Sequence, residues 1–354
     1  MKDTESHAVE ALGALLRAVP AITVLGIEPQ NTSAAETADV LVRIEAAGQL
    51  RTLVCEVKSS GQPRYVRAAL LQLRSHTGRD DQTKLPMVIA PYLSPQAQNL
   101  CRQAGAGFLD FIGNAHLSFD GIYIDRQIPG RPARERRELG SLFTPKSAQV
   151  LRILLRDPDR AWRVTELAAA AGVSVGHVSN VRKRLLDREW ALANDDGIYL
   201  SSPDALLDEW ANAYRAPAGR QMNFYTTLHG AALEAAVRPV LHVGSEDGQA
   251  MLASYSAAQW LAPYARTGTY YIYADTRGLE RLQAAMDLTT ASKGQNVVVT
   301  LPDNEGLFRD SIEPAPGVAC TSPVQTYLDL VISGERGMEA ANHLRKEMLA
   351  WQKD

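Results

Sequence analysis

A chain of 354 residues with 45% hydrophobic side chains and a net charge of −3 is too long for one core and too apolar for disorder, so two or three folded domains are expected. The near-balanced charge excludes a uniformly basic nucleic-acid coat, so any contact with nucleic acid must come from a local basic surface. Cys55, Cys101 and Cys320 stand far apart in apolar runs, which excludes a zinc spacing or a disulfide framework and predicts three buried thiols. The opening MKDTESHAVEALGALL is acidic and amphipathic, unlike a signal peptide, and no apolar run reaches membrane-spanning length. The expectation is a reduced, cytoplasmic protein with no membrane partner.

Val9, Leu12, Leu15 and Leu16 recur at helical spacing and predict a helix over residues 5–19. Strands are expected at Ile22–Ile27, Asp39–Glu45 and Leu50–Lys58, then a helix at Tyr65–Ser75 and a strand at Met87–Ala90. A helix at Ser94–Ala104 and strands at Gly107–Ile112 and Ala115–Ile124 follow. This order predicts an α/β domain with a mixed sheet over residues 1–128.

Within that domain, LRTLVCEVKSS reads as a buried strand that carries an acid and an amine. Glu56 and Lys58 lie two apart, hence on one face, opposite that of Leu53, Cys55 and Val57. Burying both is costly unless they are paired or coordinate something. If Ala47-Gly48 is a hairpin turn, Asp39 falls opposite Glu56, and two carboxylates and an ammonium converge. A hard cation such as Mg²⁺ or Mn²⁺ takes carboxylate oxygens and activates water against a phosphodiester. Lys58 would then position the water or stabilise developing charge. The plainer alternative is a salt bridge on a half-exposed sheet.

The arrangement resembles the PD-(D/E)xK nuclease superfamily over roughly the first third of the chain, with Asp39 as the first acid and Glu56-Val57-Lys58 as the ExK element. The resemblance implies Asp39 and Glu56 as metal ligands and Asp39, Glu56 and Lys58 as catalytic residues of an active site. It also marks Glu10 and Gln72 as positions of accessory polar groups, and Ala38 stands where the superfamily places proline. A third reading keeps the fold only as a grip on DNA or protein. Asp110 and Asn114 are expected to be turn and edge residues.

Residues 129–140 follow in RQIPGRPARERRELG, where proline and glycine break structure and five arginines stand between Arg126 and Arg137. With little apolar content, this reads as a basic linker. Arg134, Arg136 and Arg137 are expected to lie along a phosphate backbone, adding affinity without specificity.

Residues 141–216 are expected to be helical with one hairpin. Thr144 is the N-cap and Pro145 the first residue of a helix. In VTELAAAAGVSVGHVSNVRKRLLDRE, Leu167 and Ala171 point inward, Gly172 relaxes a tight turn, and Ser174 caps a second helix held by Val178, Val181 and Leu185. Its outward face carries His177, Asn180, Arg182, Lys183 and Arg184, with Arg188 further along, and Ser174, His177, Ser179, Asn180, Arg182, Lys183 and Arg184 are the expected DNA-contacting residues of this segment. Such a helix fits the major groove, where Asn and Arg read base edges and cations meet phosphate. Asp196-Gly197 signals a hairpin that would serve as a wing, and PDALLDEWANAY closes the unit. The segment resembles the winged-helix family, and the bland alternative is a three-helix bundle with a solvated charge run.

Residues 217–354 predict an α/β domain with strands at Val240–Val243, Thr269–Tyr273 and Asn296–Leu301. Helices are expected at Gly248–Ala253, Arg277–Met286, Pro323–Ser333 and Glu335–Ala350. In the last two, Val324, Tyr327, Leu328 and Val331 form one apolar stripe, and Met338, Ala341, Leu344 and Met348 another. Asp329, Arg336 and Glu339 are expected to bridge these helices or face a partner. In LHVGSEDG, Gly244-Ser245 sits as a nucleotidyltransferase loop would, but only Asp275 is offered as a nearby acid, so nucleotidyl transfer is not expected.

CTSPVQTYLDLVISGERGMEAANHLRKEM resembles the closing signature of type IV antitoxins of the abortive-infection AbiEi type, over about the last two thirds of the chain. That resemblance implies repression of the protein's own operon and opposition to a nucleotidyltransferase-like toxin. The expected fold class is α/β multidomain: a nuclease-like mixed-sheet α/β domain, a winged helix-turn-helix and a C-terminal α/β domain. The expected function is a sequence-specific DNA-binding transcriptional regulator with antitoxin character. The alternatives are a metal-dependent endonuclease targeted by its winged helix and a toxin-binding adaptor. Double-stranded DNA, the toxin and a second copy of the chain, as a homodimer, are the expected partners. Mg²⁺ or Mn²⁺ is needed only by a live nuclease-like site.

Overall fold

Ala47 and Gly48 both adopt left-handed backbone, with φ of 49° and 73°, the pair that closes a two-residue hairpin with the twist of its strands. The computed structural model describes residues 2–30, 38–77, 81, 83–244, 247–264 and 267–351. It divides the chain into two units, Met1–Glu138 with Leu186–Glu189, and Leu139–Leu185 with Trp190–Asp354.

The first unit runs α1 (Lys2–Arg17), β1 (Ile22–Pro29), β2 (Val40–Ala46), β3 (Gln49–Val57), α2 (Pro63–Thr77), β4 (Lys84–Ala90), α3 (Pro95–Gln103), β5 (Gly107–Asp110), β6 (Ala115–Phe119) and β7 (Ile122–Arg126). The strands form one sheet in sequence order. β3, β4 and β5 are parallel, and the pairings on either side are antiparallel. Ala8, Leu12 and Leu16 of α1 cluster with Val40, Val42, Leu53 and Cys55 on one face. Val66 and Leu73 of α2 and Ala97 and Cys101 of α3 cluster with Val54, Val88 and Phe108 on the other. The single strand expected over Ala115–Ile124 is instead the β6–β7 hairpin. Asp120 and Gly121, at φ 48° and 78°, supply the same left-handed turn chemistry as Ala47-Gly48.

The expected linker is also corrected. Ala133–Leu142 forms helix α4, with Leu139 and Leu142 buried. Two leucines three apart share one helical face, and that suffices to fold an arginine-rich segment onto a core.

The second unit continues with α5 (Pro145–Arg156), α6 (Val164–Ala171), α7 (Val175–Asp187), β8 (Ala191–Asn194), β9 (Gly197–Leu200) and α8 (Pro203–Ala213). Next come β10 (Gly219–Tyr225), α9 (Gly230–Val237), β11 (Ala250–Leu252), α10 (Ser254–Leu261), β12 (Tyr270–Ala274) and α11 (Thr276–Met286). β13 (Thr289–Thr290), β14 (Val297–Pro302), β15 (Ile312–Ala315), β16 (Val318–Cys320), α12 (Pro323–Val331) and α13 (Gly334–Met348) complete it. Seven strands form a mixed sheet in the order β13-β10-β14-β12-β11-β16-β15.

The expected helix over Gly248–Ala253 is strand β11. Ala, Met and Leu favour helices, but β11 lies between β12 and β16 with all three side chains buried, and a central sheet position overrides intrinsic preference. The strand expected over Val240–Val243 is a 3-10 turn at Arg238–Val240 followed by a single bridge, His242 to Ala250. One apolar cluster joins Val150, Leu154, Leu167, Val181 and Trp210 with Tyr327, Leu328 and Leu344. The segments expected as separate domains on either side of residue 216 therefore share a core.

Candidate functional site

Helix α7 is built as its sequence spacing requires. Gly172 ends α6 at φ 63°, and the Ser174 hydroxyl accepts from the His177 N–H at 3.2 Å, satisfying a donor the helix start leaves open. Val178, Val181 and Leu185 are buried, whereas Ser179, Asn180 and Lys183 are exposed and share one face by their spacing. Arg182 and Arg184 are half-buried at the sides of that face.

Two residues expected on the outward face are placed otherwise. His177 turns inward, with Nε2 3.1 Å from the Ser147 hydroxyl, and burial, then Lys146 and Arg184, push its pKa down. Arg188 is buried in the first unit, where it meets Glu135 at 2.9 Å. The Ser179 hydroxyl donates back to the Val175 carbonyl at 3.0 Å. On α4, Arg134 pairs with Glu138 at 3.0 Å, and Arg136 and Arg137 are exposed.

The hairpin after α7 turns one residue earlier than expected, at Asp195-Asp196, because the Asn194 side chain accepts from both the Asp196 and Gly197 N–H groups at 3.0 Å. Trp162 and Ile198 exchange two backbone hydrogen bonds, adding a third strand position beside β9. Gly197 has φ 143°, and a Cβ there would stand 2.2 Å from the Trp162 carbonyl oxygen. The exposed tip carries two aspartates and repels phosphate.

In the first unit, Val40 pairs with Cys55, and one further step of that register puts Asp39 opposite Glu56. Lys58 Nζ donates to Glu56 Oε2 at 2.5 Å and to Gln72 Oε1 at 2.8 Å. His76 Nδ1 lies 3.5 Å from the other Glu56 oxygen. The Val57 N–H donates to Asp39 Oδ2 at 2.7 Å. Glu56 is 2% exposed. Burial pushes its pKa above the ordinary value, opposed by Lys58 and His76 and reinforced by Asp39. Gln72 thus joins the cluster. Glu10 does not, being exposed on α1, which packs on the opposite face of the sheet.

This donor set does not fit a resident divalent cation. Lys58 and His76 already face the two Glu56 oxygens, and among the described residues no group of three or more His, Cys, Asp or Glu side chains is placed to share an ion. Asp110 is a turn anchor, accepting from Leu93, Gly113 and Asn114 backbone N–H groups and from the Asn114 side chain. The three cysteines are buried, and burial pushes their pKa values up.

A polar cluster that sequence reasoning missed lies inside the second unit. Asp329 neither bridges α12 and α13 nor faces outward. It accepts from Tyr214 at 2.6 Å, Tyr273 at 3.2 Å and Gln325 at 2.9 Å. Gln325 in turn accepts from the buried Arg152 at 3.2 Å. Four elements far apart in sequence supply these groups, and no local spacing betrays them. Asp275 caps α11 by accepting from the Gly278 N–H at 2.7 Å, which accounts for the acid noted beside Gly244. Ser245 lies outside the described residues.

Fold and sites together define a multidomain α/β protein, and among the described residues no helix is long and apolar enough to cross a membrane. Residues 199–350 match the family model described as a transcriptional regulator, AbiEi antitoxin, of type IV toxin–antitoxin systems. The match begins in β9 and runs through α13, less than half of the chain and shorter than the expected resemblance. No curated protein matches this chain.

Proposed function

We propose that the chain is a sequence-specific DNA-binding transcriptional regulator with antitoxin character, and that α7 is the recognition helix of a winged-helix module. The observation that carries this reading is the surface of α7. Ser179, Asn180 and Lys183 are exposed on one face, Arg182 and Arg184 flank it, and a buried apolar stripe fixes the other face. Asn suits adenine edges, and lysine and arginine suit guanine or phosphate. The acidic hairpin tip argues for a wing that supports α7 rather than one that enters the minor groove. The family model matched by residues 199–350, a transcriptional regulator and antitoxin, supports a regulatory role, and the promoter it acts on is proposed to be that of the protein's own operon. A nucleotidyltransferase-like toxin and a second copy of the chain are its proposed protein partners.

Gel-shift titration of the protein's own promoter at two salt concentrations tests the reading. Asn180→Ala should lower operator affinity by about tenfold, the worth of one bidentate base contact, while leaving random DNA unaffected. Lys183→Ala should flatten the salt dependence by about one unit of slope. Unchanged operator affinity in the Asn180→Ala, Lys183→Ala double variant would overturn it.

The convergence of Asp39, Glu56 and Lys58 favours a second reading, a metal-dependent endonuclease. The Lys58 ammonium bound to a buried Glu56 supports instead a nuclease-like site now closed on itself.

A further inference from the structure

Within the second unit, α5, the end of α8 and the 3-10 turn Glu305–Asp310 border a cavity of about 370 Å³, within the range of small-molecule sites. Phe143, Trp210 and Leu307 are among its lining residues, together with the polar side chains of Arg152 and Gln325. The Phe143 and Trp210 rings stack on each other 5.9 Å apart, 4° from parallel, so part of the wall is an aromatic pair, which suits an aromatic partner.

Arg152 decides the polar chemistry. It is 4% exposed, and its two hydrogen bonds, to Gln325 Oε1 and the Gly306 carbonyl, are long at 3.2 Å. Its Nε has no hydrogen-bond partner, the nearest Asp310 oxygen being 3.6 Å away. The Nε–H is buried and faces Asp310, so of the five N–H donors of a guanidinium those left for a ligand are on the two terminal nitrogens, each of which makes one hydrogen bond. Asp310 is shared between Arg152 and Arg156, Asp329 lies beyond Gln325, and Arg215 and Asp303 both line the cavity, so three carboxylates balance three guanidiniums. A ligand bringing a further negative charge would upset that balance, whereas a neutral carbonyl oxygen would satisfy a donor without adding charge.

We propose that this cavity is a binding site for a small, uncharged planar aromatic carrying a carbonyl group, its ring against Phe143, Trp210 and Leu307 and its oxygen on Arg152. The site is separate from the α7 surface, and ligand binding reads it without DNA.

Benzamide and benzoate, alike in shape but one neutral and one anionic, are the probes. Calorimetry and melting curves of the full chain should show benzamide binding, with the melting temperature raised by about 3 °C at tenfold excess over its dissociation constant. Benzoate should bind at least tenfold more weakly. Ala213 is an exposed lining residue at the end of α8, so Ala213→Trp should obstruct the cavity without disturbing the core and lower benzamide affinity at least tenfold. Arg152→Lys, which keeps the charge but loses the fork, should weaken benzamide if the variant folds. No benzamide binding to the wild type, equal binding to Ala213→Trp, or benzoate binding as tightly as benzamide would each overturn the proposal.

Discussion

The Tyr214 hydroxyl donates to the Asp329 carboxylate at 2.6 Å, tying the segment after α8 to α12 through an acid that is 5% exposed. Burial pushes the Asp329 pKa up to about 6, against the opposing effect of the Tyr214, Gln325 and Tyr273 hydrogen bonds. The folded chain therefore holds this proton more tightly than the unfolded chain does. The stability it contributes is present below the ordinary aspartate range and is lost as pH rises through about 6. Asp329→Asn, which cannot ionise, should lack this loss. Its melting temperature relative to wild type should rise between pH 4 and pH 7, and a constant difference would contradict the assignment.

Lys58 is expected to matter more for stability than for chemistry. Lys58→Met leaves the buried Glu56 without its ammonium and should cost about 3 kcal/mol at pH 8. Because the Glu56 pKa is already raised by burial, its ionisation costs stability as pH rises through the folded value, and losing Lys58 enlarges that cost. The penalty should shrink at pH 5, and the Glu56→Gln, Lys58→Met double variant should recover most of it. Urea midpoints at the two pH values measure this, and a pH-independent penalty counts against it.

A divalent cation should find no site on this cluster. Mn²⁺ titrated into wild type and Glu56→Gln should give the same heats. Binding to wild type alone, together with Mn²⁺-dependent DNA cleavage abolished by Lys58→Ala, would favour the endonuclease reading.

The arginines of α4 are expected to contact phosphate. Arg136 and Arg137 are exposed, whereas Arg134 is held by Glu138. The Arg136→Ala, Arg137→Ala variant should weaken operator and random DNA alike and lower the salt slope by about two units. A loss confined to the operator would show base readout instead.

Gly197 admits no side chain. Its positive φ, and the Trp162 carbonyl oxygen 2.2 Å from where a Cβ would stand, make Gly197→Ala destabilising by more than about 3 kcal/mol, read as a fall in melting temperature. A near-neutral substitution would mean that the Trp162–Ile198 bridge is not formed.

The sequence makes legible what local chemistry dictates. Counting from Ala47-Gly48 places Asp39 opposite Glu56, because a two-residue turn fixes register. Gly172, Ser174 and the Val178–Leu185 stripe locate α6 and α7 for the same kind of reason. What escapes it depends on tertiary context. β11 has helix-favouring residues and is a strand only because β12 and β16 flank it. β10, GRQMNFY, lacks an alternating pattern yet is held by β14 on one side. In the α4 segment, an arginine-rich composition masks two leucines at helical spacing. The Asp120-Gly121 turn is different, since its residue types signal a hairpin as plainly as Ala47-Gly48 does. The Asp329 cluster is beyond reach, because its partners lie up to 173 residues apart.

Residues Ser147 to Leu155 of α5 are all buried, so this helix has no solvent side in its middle and acts as a shared girder for α6, α7, α12 and the 3-10 turn Glu305–Asp310. A cut near residue 216 would expose apolar surface on both fragments. The α7 module is thus a poor unit for transplantation into another protein, and recombination that exchanged one half without the other would disfavour folding of both. Divergence of the α7 surface would instead have to proceed by point changes at exposed positions such as Asn180 and Lys183, on a scaffold inherited whole.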